Sequence, residues 1–384
     1  MSFRWSWLPF AGLLMILPYP GTVAARLLLL LLGFLVAAWW YAKAGAEERR
    51  PMPCKPALVV WWVVCLASLA YAVDPGYSNG ELKNELGYAM LALFSFFVLG
   101  QDAARARFAL RAAALGLAIL GGWATLTWLQ NSGWNRLGGH GDAGVVSTYV
   151  VTILPVLLLL ALDDPLAAWR RVAWALVALA LFIAAITDQR AAWLALGLQA
   201  ALGVMMLARA GRLPLSRRQI AFAVGVLLLA AAAAAVKHTL TRYGDAGALA
   251  GDTRMEFWPA LLSHIAAHPL AGAGFGRQAM KIAYPQMIPG TNPELWHAHN
   301  FVINYGLGMG IPGMLALLAL FATWGRFFGR HAASAVGIAG CMLLAGVFLR
   351  NQFNDFFQRD MSLLFWALCG LFAGMLLARE EAGR

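Results

Sequence analysis

The sequence predicts an all-α integral membrane protein with about twelve transmembrane helices. Hydrophobic residues make up 61% of its 384 residues and charged residues only 12%, whereas a soluble domain averages about 25% charged residues. The charges cluster between apolar runs of roughly 17–25 residues, the length that crosses the hydrocarbon core of a bilayer. Because charged side chains are costly in that core, each run is predicted to be a membrane span.

The order of the apolar runs divides the chain into three segments. Spans 1–9 occupy residues 1–236, a large polar connection occupies residues 237–298, and spans 10–12 occupy residues 299–384. The approximate limits of the twelve runs are 5–19, 22–42, 57–73, 84–100, 107–130, 145–162, 169–187, 190–208, 218–236, 299–325, 332–350 and 361–378.

The large connection is predicted to be a small helical subdomain outside the membrane. Asp252 or Thr253 can cap a helix there. Apolar residues then recur at helical spacing, and His268-Pro269 ends the pattern. The residues at helical spacing are Met255, Trp258, Leu261, Leu262 and Ile265.

The basic residues predict the orientation of the chain. They are concentrated in alternate connections and near both ends, so by the positive-inside rule both termini are predicted to be cytoplasmic. The formal net charge of +11 follows from this spread and does not indicate nucleic-acid binding. Four connections with polar content are then predicted to face the opposite side, namely 131–144, 187–190, 237–298 and 351–360.

The segment 296–313 is the centre of the predicted functional site. It changes from a polar loop to an apolar helix, so His299 is predicted to lie where a non-cytoplasmic loop enters the membrane. A histidine can exchange a proton near neutral pH, which suits a general base that activates a hydroxyl. The alternative is that His299 only caps a helix or lies at the membrane–water interface. His297 is a competing candidate for the general base.

Two arginines on the same side are candidates for binding a phosphate group. Arg190 opens the eighth span on the side where the positive-inside rule disfavours arginine. Arg254 lies in the first turn of the predicted external helix, where cations are disfavoured. A guanidinium binds phosphate oxygens through two parallel hydrogen bonds. The alternative for Arg190 is a side chain that snorkels to the membrane surface. The alternative for Arg254 is a salt bridge to Asp252 or Glu256.

Further candidates for substrate binding lie near the same predicted surface. Asn351, Asn354 and Asp355 could bind sugar hydroxyls or orient the histidine, although such residues are more often only solvated loop residues. The secondary candidates are Arg136, His297, Asn300, Arg350 and Asp355.

The sequence does not indicate a metal or nucleotide cofactor. No Cys/His cluster has zinc-ligand spacing, and the cysteines do not form a disulfide framework. The glycines at 272, 274 and 276 do not follow a predicted strand, so they are not a nucleotide-binding fingerprint. Ionisable residues deep within the spans are scarce, which argues against a transporter. A histidine base and phosphate-binding arginines suit transfer from a lipid-linked diphosphate to a hydroxyl.

These residues resemble the motifs of the O-antigen ligase and polymerase superfamily. His299-Asn300, followed after nine residues by Gly310 and Gly313, resembles its signature of a histidine, then Asn, Ser or Gln, and two spaced glycines. Arg190 with Leu194 is similar to its arginine–leucine motif. The run that precedes the histidine is also similar, with Arg254, Trp258, His268-Pro269-Leu270, Gly272 and Gly274. The neighbouring His297 departs from the motif.

The resemblance implies a glycosyltransferase of the GT-C type, with no metal or nucleotide. It would transfer O-antigen polysaccharide from undecaprenyl diphosphate to lipid A–core oligosaccharide, with inversion, at the periplasmic face of a Gram-negative inner membrane. His299 would be the base, and Arg190 and Arg254 would bind the diphosphate. The partners would be this donor, this acceptor and the lipid bilayer. An O-antigen polymerase, a protein O-oligosaccharyltransferase and a non-enzymatic lipid-linked sugar flippase are the alternatives.

Overall fold

The regular secondary structure is helical throughout the part of the chain that the structure describes. The structure is a computed structural model and describes residues 5–45, 49–131, 133–134, 140–243, 253–288, 295–357 and 359–382. Its α-helices are α1 (Leu8–Ile16), α2 (Val23–Lys43), α3 (Lys55–Ala67), α4 (Pro75–Glu81), α5 (Tyr88–Gly100), α6 (Ala103–Asn131), α7 (Ala143–Asp163), α8 (Ala167–Ile186), α9 (Arg190–Arg209), α10 (Arg217–Tyr243), α11 (Thr253–Ala267), α12 (Ala279–Ala283), α13 (Phe301–Arg330), α14 (Ala335–Arg350) and α15 (Arg359–Ala382).

The helices account for all of the predicted apolar runs. Within the described ranges, nine helices are long and apolar enough to cross a membrane. The runs at 5–19, 57–73 and 332–350 coincide with the shorter apolar helices Trp5–Ile16, Lys55–Ala70 and Ala335–Arg350. The chain is therefore an all-helical integral membrane protein, as predicted, whereas the number of twelve spans and the GT-C type stay predictions.

The centre of the bundle is built on glycine contacts between α5 and α15. A Cβ atom at Gly100 would meet the backbone of Leu371, and one at Gly374 would meet the backbone of α5. Small residues let two membrane helices approach until their backbones touch, which is the usual way to gain packing energy where no water is displaced. The segment Arg359–Arg379 is accordingly the most buried of the nine long apolar helices.

The packing of α7, α9 and α14 brings the ends of several helices together. The Gln199 side chain in α9 donates from Nε2 to the carbonyls of Val151 in α7 and Met342 in α14, both at 2.9 Å. At one end, Arg350 donates to Gly144 O at 3.2 Å, so α14 ends where α7 begins. Helix α13 begins there too, because Phe301 N donates to Asn351 O at 3.0 Å. We name this end of the bundle the His299 end.

The predicted span 299–325 is not one continuous helix. Helix α13 is broken at Gly310, whose φ of 68° and ψ of −165° are not helical. The loop after α11 pairs with the broken turn through three backbone hydrogen bonds, from Ala273 N to Leu307 O (2.9 Å), from Gly274 N to Gly308 O (2.9 Å) and from Ile311 N to Pro269 O (2.8 Å). Gly310, the first of the two glycines in the motif, therefore serves this close backbone approach.

The large connection contains the predicted helix. Helix α11 spans Thr253–Ala267 and ends directly before His268-Pro269, which confirms that prediction. The preceding span was predicted to end at residue 236, but α10 continues to Tyr243. Asp252, one of the two predicted capping residues, lies outside the described residues.

We expect Gly310→Ala to lower the stability of the protein. A side chain at a φ of +68° is strained by about 1–3 kcal/mol, and the new Cβ would lie 2.6 Å from the carbonyl oxygen of Pro269. Thermal unfolding of the purified protein in detergent measures the effect. The matched control is Gly329→Ala in the same helix, where a Cβ meets nothing within 4 Å. Equal melting temperatures for the two variants would contradict this account of the break.

Candidate functional site

His299 lies in a strained backbone position directly before α13. Its φ of 52° places it in the left-handed region, which is uncommon for a residue other than glycine. The following residue, Asn300, caps α13 by accepting a hydrogen bond from Ile303 N at 3.1 Å. Backbone strain of this kind clusters at functional sites and persists only where the surroundings enforce it.

Asn354 fixes the tautomer of His299. The Nδ1 atom of His299 lies 3.0 Å from Asn354 Oδ1, in the loop between α14 and α15. An amide oxygen can only accept, so the ring donates from Nδ1 and its lone pair is on Nε2. This is the arrangement that a general base needs, with one nitrogen held and the other able to accept a proton.

His297 is buried and packs against His299. It is only 1% exposed, its ring stacks on that of His299 at 3.8 Å between centroids, and its Nδ1 lies 3.0 Å from His299 N. Burial lowers the pKa of His297, and the charges of Arg277 and Arg254 and the neighbouring ring of His299 lower it further. His297 is therefore neutral near pH 7.

Arg277 was not anticipated from the sequence. Its Nη2 lies 2.7 Å from His297 Nε2, and its guanidinium lies over the ring of Trp296 at 4.8 Å. A neutral imidazole has one accepting nitrogen, so Nε2 and Nδ1 of His297 do not both accept a full hydrogen bond at the same time. The sequence signal was an arginine directly after the glycines of the external connection.

Arg254 reaches the loop that carries Asn354. Its Nη1 donates to Phe353 O at 2.9 Å. Helix α11 is held there by Trp258, whose Nε1 donates to Ala298 O at 2.7 Å, one residue before His299. The external helix thus brings Arg254 to the same loop that orients the histidine.

Arg190 is the first residue of α9 and lies at the His299 end of the bundle. The antiparallel packing of α9 on α14 places this end of α9 beside the end of α14 at Arg350. Asp188, two residues earlier, has a φ of 59°, so the turn into α9 is strained as well. Arg190 and His299, far apart in the sequence, are therefore at the same end of the helix bundle.

The secondary candidates have different placements. Arg136 lies outside the described residues. Arg350 is fully buried and donates to Ser147 Oγ at 3.1 Å, while its guanidinium lies 5.0 Å from the Phe356 ring. The side chain of Asn300 also donates to Gln352. Arg350 and Asn300 thus connect parts of the protein, and their roles in substrate binding stay predictions.

Asp355 and Asn304 form a brace beneath the histidine segment. Asn304 donates from Nδ2 to Asp355 Oδ2 at 2.5 Å and accepts from Ala298 N at 2.8 Å. Asp355 is buried, and burial raises the pKa of its carboxyl group. Because Asp355 follows Asn354 and Ala298 precedes His299, the brace fixes the relative position of the base and its orienting residue.

Two buried glutamates lie close to this brace and were also missed. Glu81 ends α4, and Glu85 lies in a π-helical turn, Leu82–Gly87. Such turns are rare and often occur at functional sites. Glu85 lines a small pocket together with Arg277, Asn304, Tyr305 and Asp355. No group of three potential ligands in the described ranges is arranged to hold a metal ion, and metal independence stays a prediction.

The site as a whole is electropositive. Arg254 and Arg277 both act on His297, and Arg254 also acts on Arg350. Two buried carboxyl groups, those of Asp355 and Glu85, line a pocket together with Arg277, and Asp142 acts on Arg350. The arrangement therefore suits an anionic ligand that approaches His299 from outside.

We expect His297 to make the protein less stable in mild acid. A histidine with a lowered pKa in the folded state contributes stability that is complete above its unfolded pKa, about 6.5. This contribution is lost as the pH falls, because the unfolded chain takes up the proton more readily. Melting temperatures measured from pH 7.5 to 5 should fall less steeply for His297→Gln than for the wild type.

Comparing the pH dependence of the melting temperature between His297→Gln and the wild type cancels the contributions of other titratable groups. Asp355, with its raised pKa, would change stability in the opposite direction, with less stability as the pH rises. Arg218→Gln, an exposed substitution at the opposite end of the bundle, is the control and should keep the wild-type slope. An unchanged slope in His297→Gln would refute the assignment of a neutral His297.

The comparison with known families agrees with the motifs. Residues 175–318 match the family model described as O-antigen ligase. The matched region contains Arg190, Arg254 and His299, whereas Arg350 and Asp355 lie after it. A search of the curated proteins finds no match. The resemblance is thereby confirmed for residues 175–318, the part of the chain that is similar to the O-antigen ligase family.

Proposed function

We propose that the protein is an O-antigen ligase that transfers O-antigen polysaccharide from undecaprenyl diphosphate to a sugar hydroxyl of lipid A–core oligosaccharide. The family match supports a ligase- or polymerase-type enzyme that acts on lipid-linked polysaccharide. The observation that carries the proposal is His299, held by Asn354 with its lone pair on Nε2, beside Arg254 and Arg277 at one end of a membrane bundle.

The reaction is a single displacement. His299 Nε2 takes the proton of the acceptor hydroxyl, and the oxygen attacks the anomeric carbon of the donor sugar. The bond from that carbon to the diphosphate oxygen breaks, and undecaprenyl diphosphate leaves with the electron pair. Attack opposite to the leaving group inverts the configuration at the anomeric carbon.

The arginines stabilise the leaving group. Negative charge develops on the diphosphate as the bond breaks, and a preorganised guanidinium stabilises it without reorganisation. We assign this role to Arg190 and Arg254, which lie at the His299 end, and we infer a metal-independent reaction of the GT-C type. Arg277 adds positive charge from behind His297 and keeps the second histidine neutral.

The proposed location is the inner membrane of a Gram-negative bacterium. The basic connections lie at the end of the bundle opposite to His299, so by the positive-inside rule that end and both termini are cytoplasmic and the active site faces the periplasm. A lipid-linked sugar flippase would instead need a polar path through the bilayer. A topology map with His299 and Arg190 on opposite sides would favour the flippase.

Reconstitution tests the proposed reaction. Purified protein is incubated with lipid-linked polysaccharide and rough lipopolysaccharide, and a joined product is expected. Parallel reactions contain donor alone or donor with a peptide acceptor. Chain elongation with donor alone would indicate a polymerase, and modification of the peptide would indicate a protein O-oligosaccharyltransferase. Product linkages with retained configuration would contradict the single displacement.

We expect His299→Ala to reduce the rate of transfer by about 10²–10⁴-fold, the usual cost of removing a general base. Asn354→Ala should reduce the rate less, because His299 remains but its tautomer is no longer fixed. His268→Ala, an exposed histidine outside the site, is the control. Near wild-type transfer by a folded His299→Ala protein would exclude His299 as the base.

We expect Arg190→Lys and Arg254→Lys to impair transfer although the charge is kept. An ammonium group cannot reproduce the two parallel hydrogen bonds that a guanidinium makes to a phosphate. The loss should appear in the turnover rate at saturating donor, because the charge on the diphosphate grows as the bond breaks. Arg218→Lys, an exposed substitution at the opposite end of the bundle, is the control. Full activity of both site variants would remove the arginines from the mechanism.

A further inference from the structure

A second polar pocket lies at the end of the bundle opposite to His299. Six of its lining residues define its character: Gln101, Arg107 and Arg379 at its rim, and Leu110, Leu159 and Met375 in its apolar wall. Its volume is about 260 Å³, whereas one water occupies about 30 Å³ in the liquid. We name it the Arg107 pocket.

The carboxylates at this pocket are already paired. Arg111 holds Asp164 with two hydrogen bonds, of 2.7 and 3.0 Å. Asp163 is 3.2 Å from Arg379 and 3.7 Å from Arg212. The ion pairs of the lining carboxylates are therefore made with arginines other than Arg107, although the charge of Arg107 also acts on Asp164.

Arg107 and Gln101 have unused hydrogen-bonding capacity. Arg107 is half-buried in the first part of α6 and forms no ion pair with a carboxylate in the described part of the chain. Gln101 Nε2 is buried and has no hydrogen-bond acceptor. Buried donors ordinarily have a partner, so an arginine and an amide donor at one pocket indicate an anionic group with oxygen acceptors.

The surroundings identify the class of ligand. The pocket is lined by the ends of α5, α7 and α15 and by the start of α6, where the bundle meets the surface of the membrane. Its wall is apolar below the arginines, which suits a molecule with a charged head and a hydrocarbon chain. Basic pockets of this kind between membrane helices bind the head groups of anionic lipids.

We propose that the Arg107 pocket binds the phosphate of an anionic phospholipid. Arg107 and Gln101 donate to its phosphate oxygens, and Arg379 adds positive charge at the rim. The first part of an acyl chain packs on Leu110, Leu159 and Met375. The Arg107 pocket is at the opposite end of the bundle from His299. Lipid binding in this pocket is therefore independent of the reaction proposed at His299.

Native mass spectrometry of the full-length protein tests the proposal. The purified protein is mixed with phosphatidylglycerol, with phosphatidylcholine, or with phosphatidylcholine and inorganic phosphate. We expect one phosphatidylglycerol to be retained in preference to phosphatidylcholine. Arg107→Gln should weaken this retention by about five- to tenfold, from the loss of one arginine next to the phosphate. Arg218→Gln removes the same charge outside the pocket and should leave retention unchanged.

Three results would overturn the proposal. The first is equal retention of the two lipids by the wild type. The second is equal retention of phosphatidylglycerol by Arg107→Gln and Arg218→Gln. The third is displacement of phosphatidylglycerol by inorganic phosphate, which would assign the pocket to a free anion. The wild-type measurements remain decisive if Arg107→Gln does not fold, because they compare lipids in an unaltered protein.

Discussion

The candidate site depends on the backbone pairing between the loop after α11 and the broken turn of α13. Gly310 leaves the helical conformation, and three hydrogen bonds then join the loop to residues 307–311. In a membrane helix, freed backbone groups must find partners within the protein, and the loop provides them. The same pairing sets where the chain continues, so Arg277 comes to lie against His297. The His299 segment and the loop after α11 are therefore a single folded unit.

This unit explains how a strained histidine can be stable. His299 is restrained by the stacking of its ring on His297, by the hydrogen bond of its ring to Asn354 and by the capped helix that follows it. The brace of Asn304 and Asp355 then joins the two chain segments that carry these contacts. In its proposed role as a base, a histidine with so many restraints would lose little entropy when the acceptor binds, which is what preorganised catalysis requires.

The sequence predicted the helices well because membrane spans are read from local composition. The apolar runs, helix α11 and the end of that helix before His268 were predicted from residues that are neighbours in the sequence. His299, Arg190 and Arg254 were recognised from short sequence motifs. Arg277, Asn304 and Glu85 were missed, since their roles arise from contacts between segments distant in sequence. The break at Gly310 was missed although Pro312 follows two residues later, and a proline inside an apolar helical run marks a kink.

The two ends of the bundle differ in how their charged residues are paired. At the end opposite to His299, arginines are paired with Asp163 and Asp164 and agree with the positive-inside tendency. At the His299 end, Arg254 and Arg277 act on His297, and Arg254 also acts on the buried Arg350. Such a cluster is costly in the free protein, because like charges repel and burial removes water. In the proposed reaction, an anionic group on the substrate would offset that cost, most strongly as charge develops on the leaving diphosphate. The arrangement that destabilises the empty site would then favour the transition state.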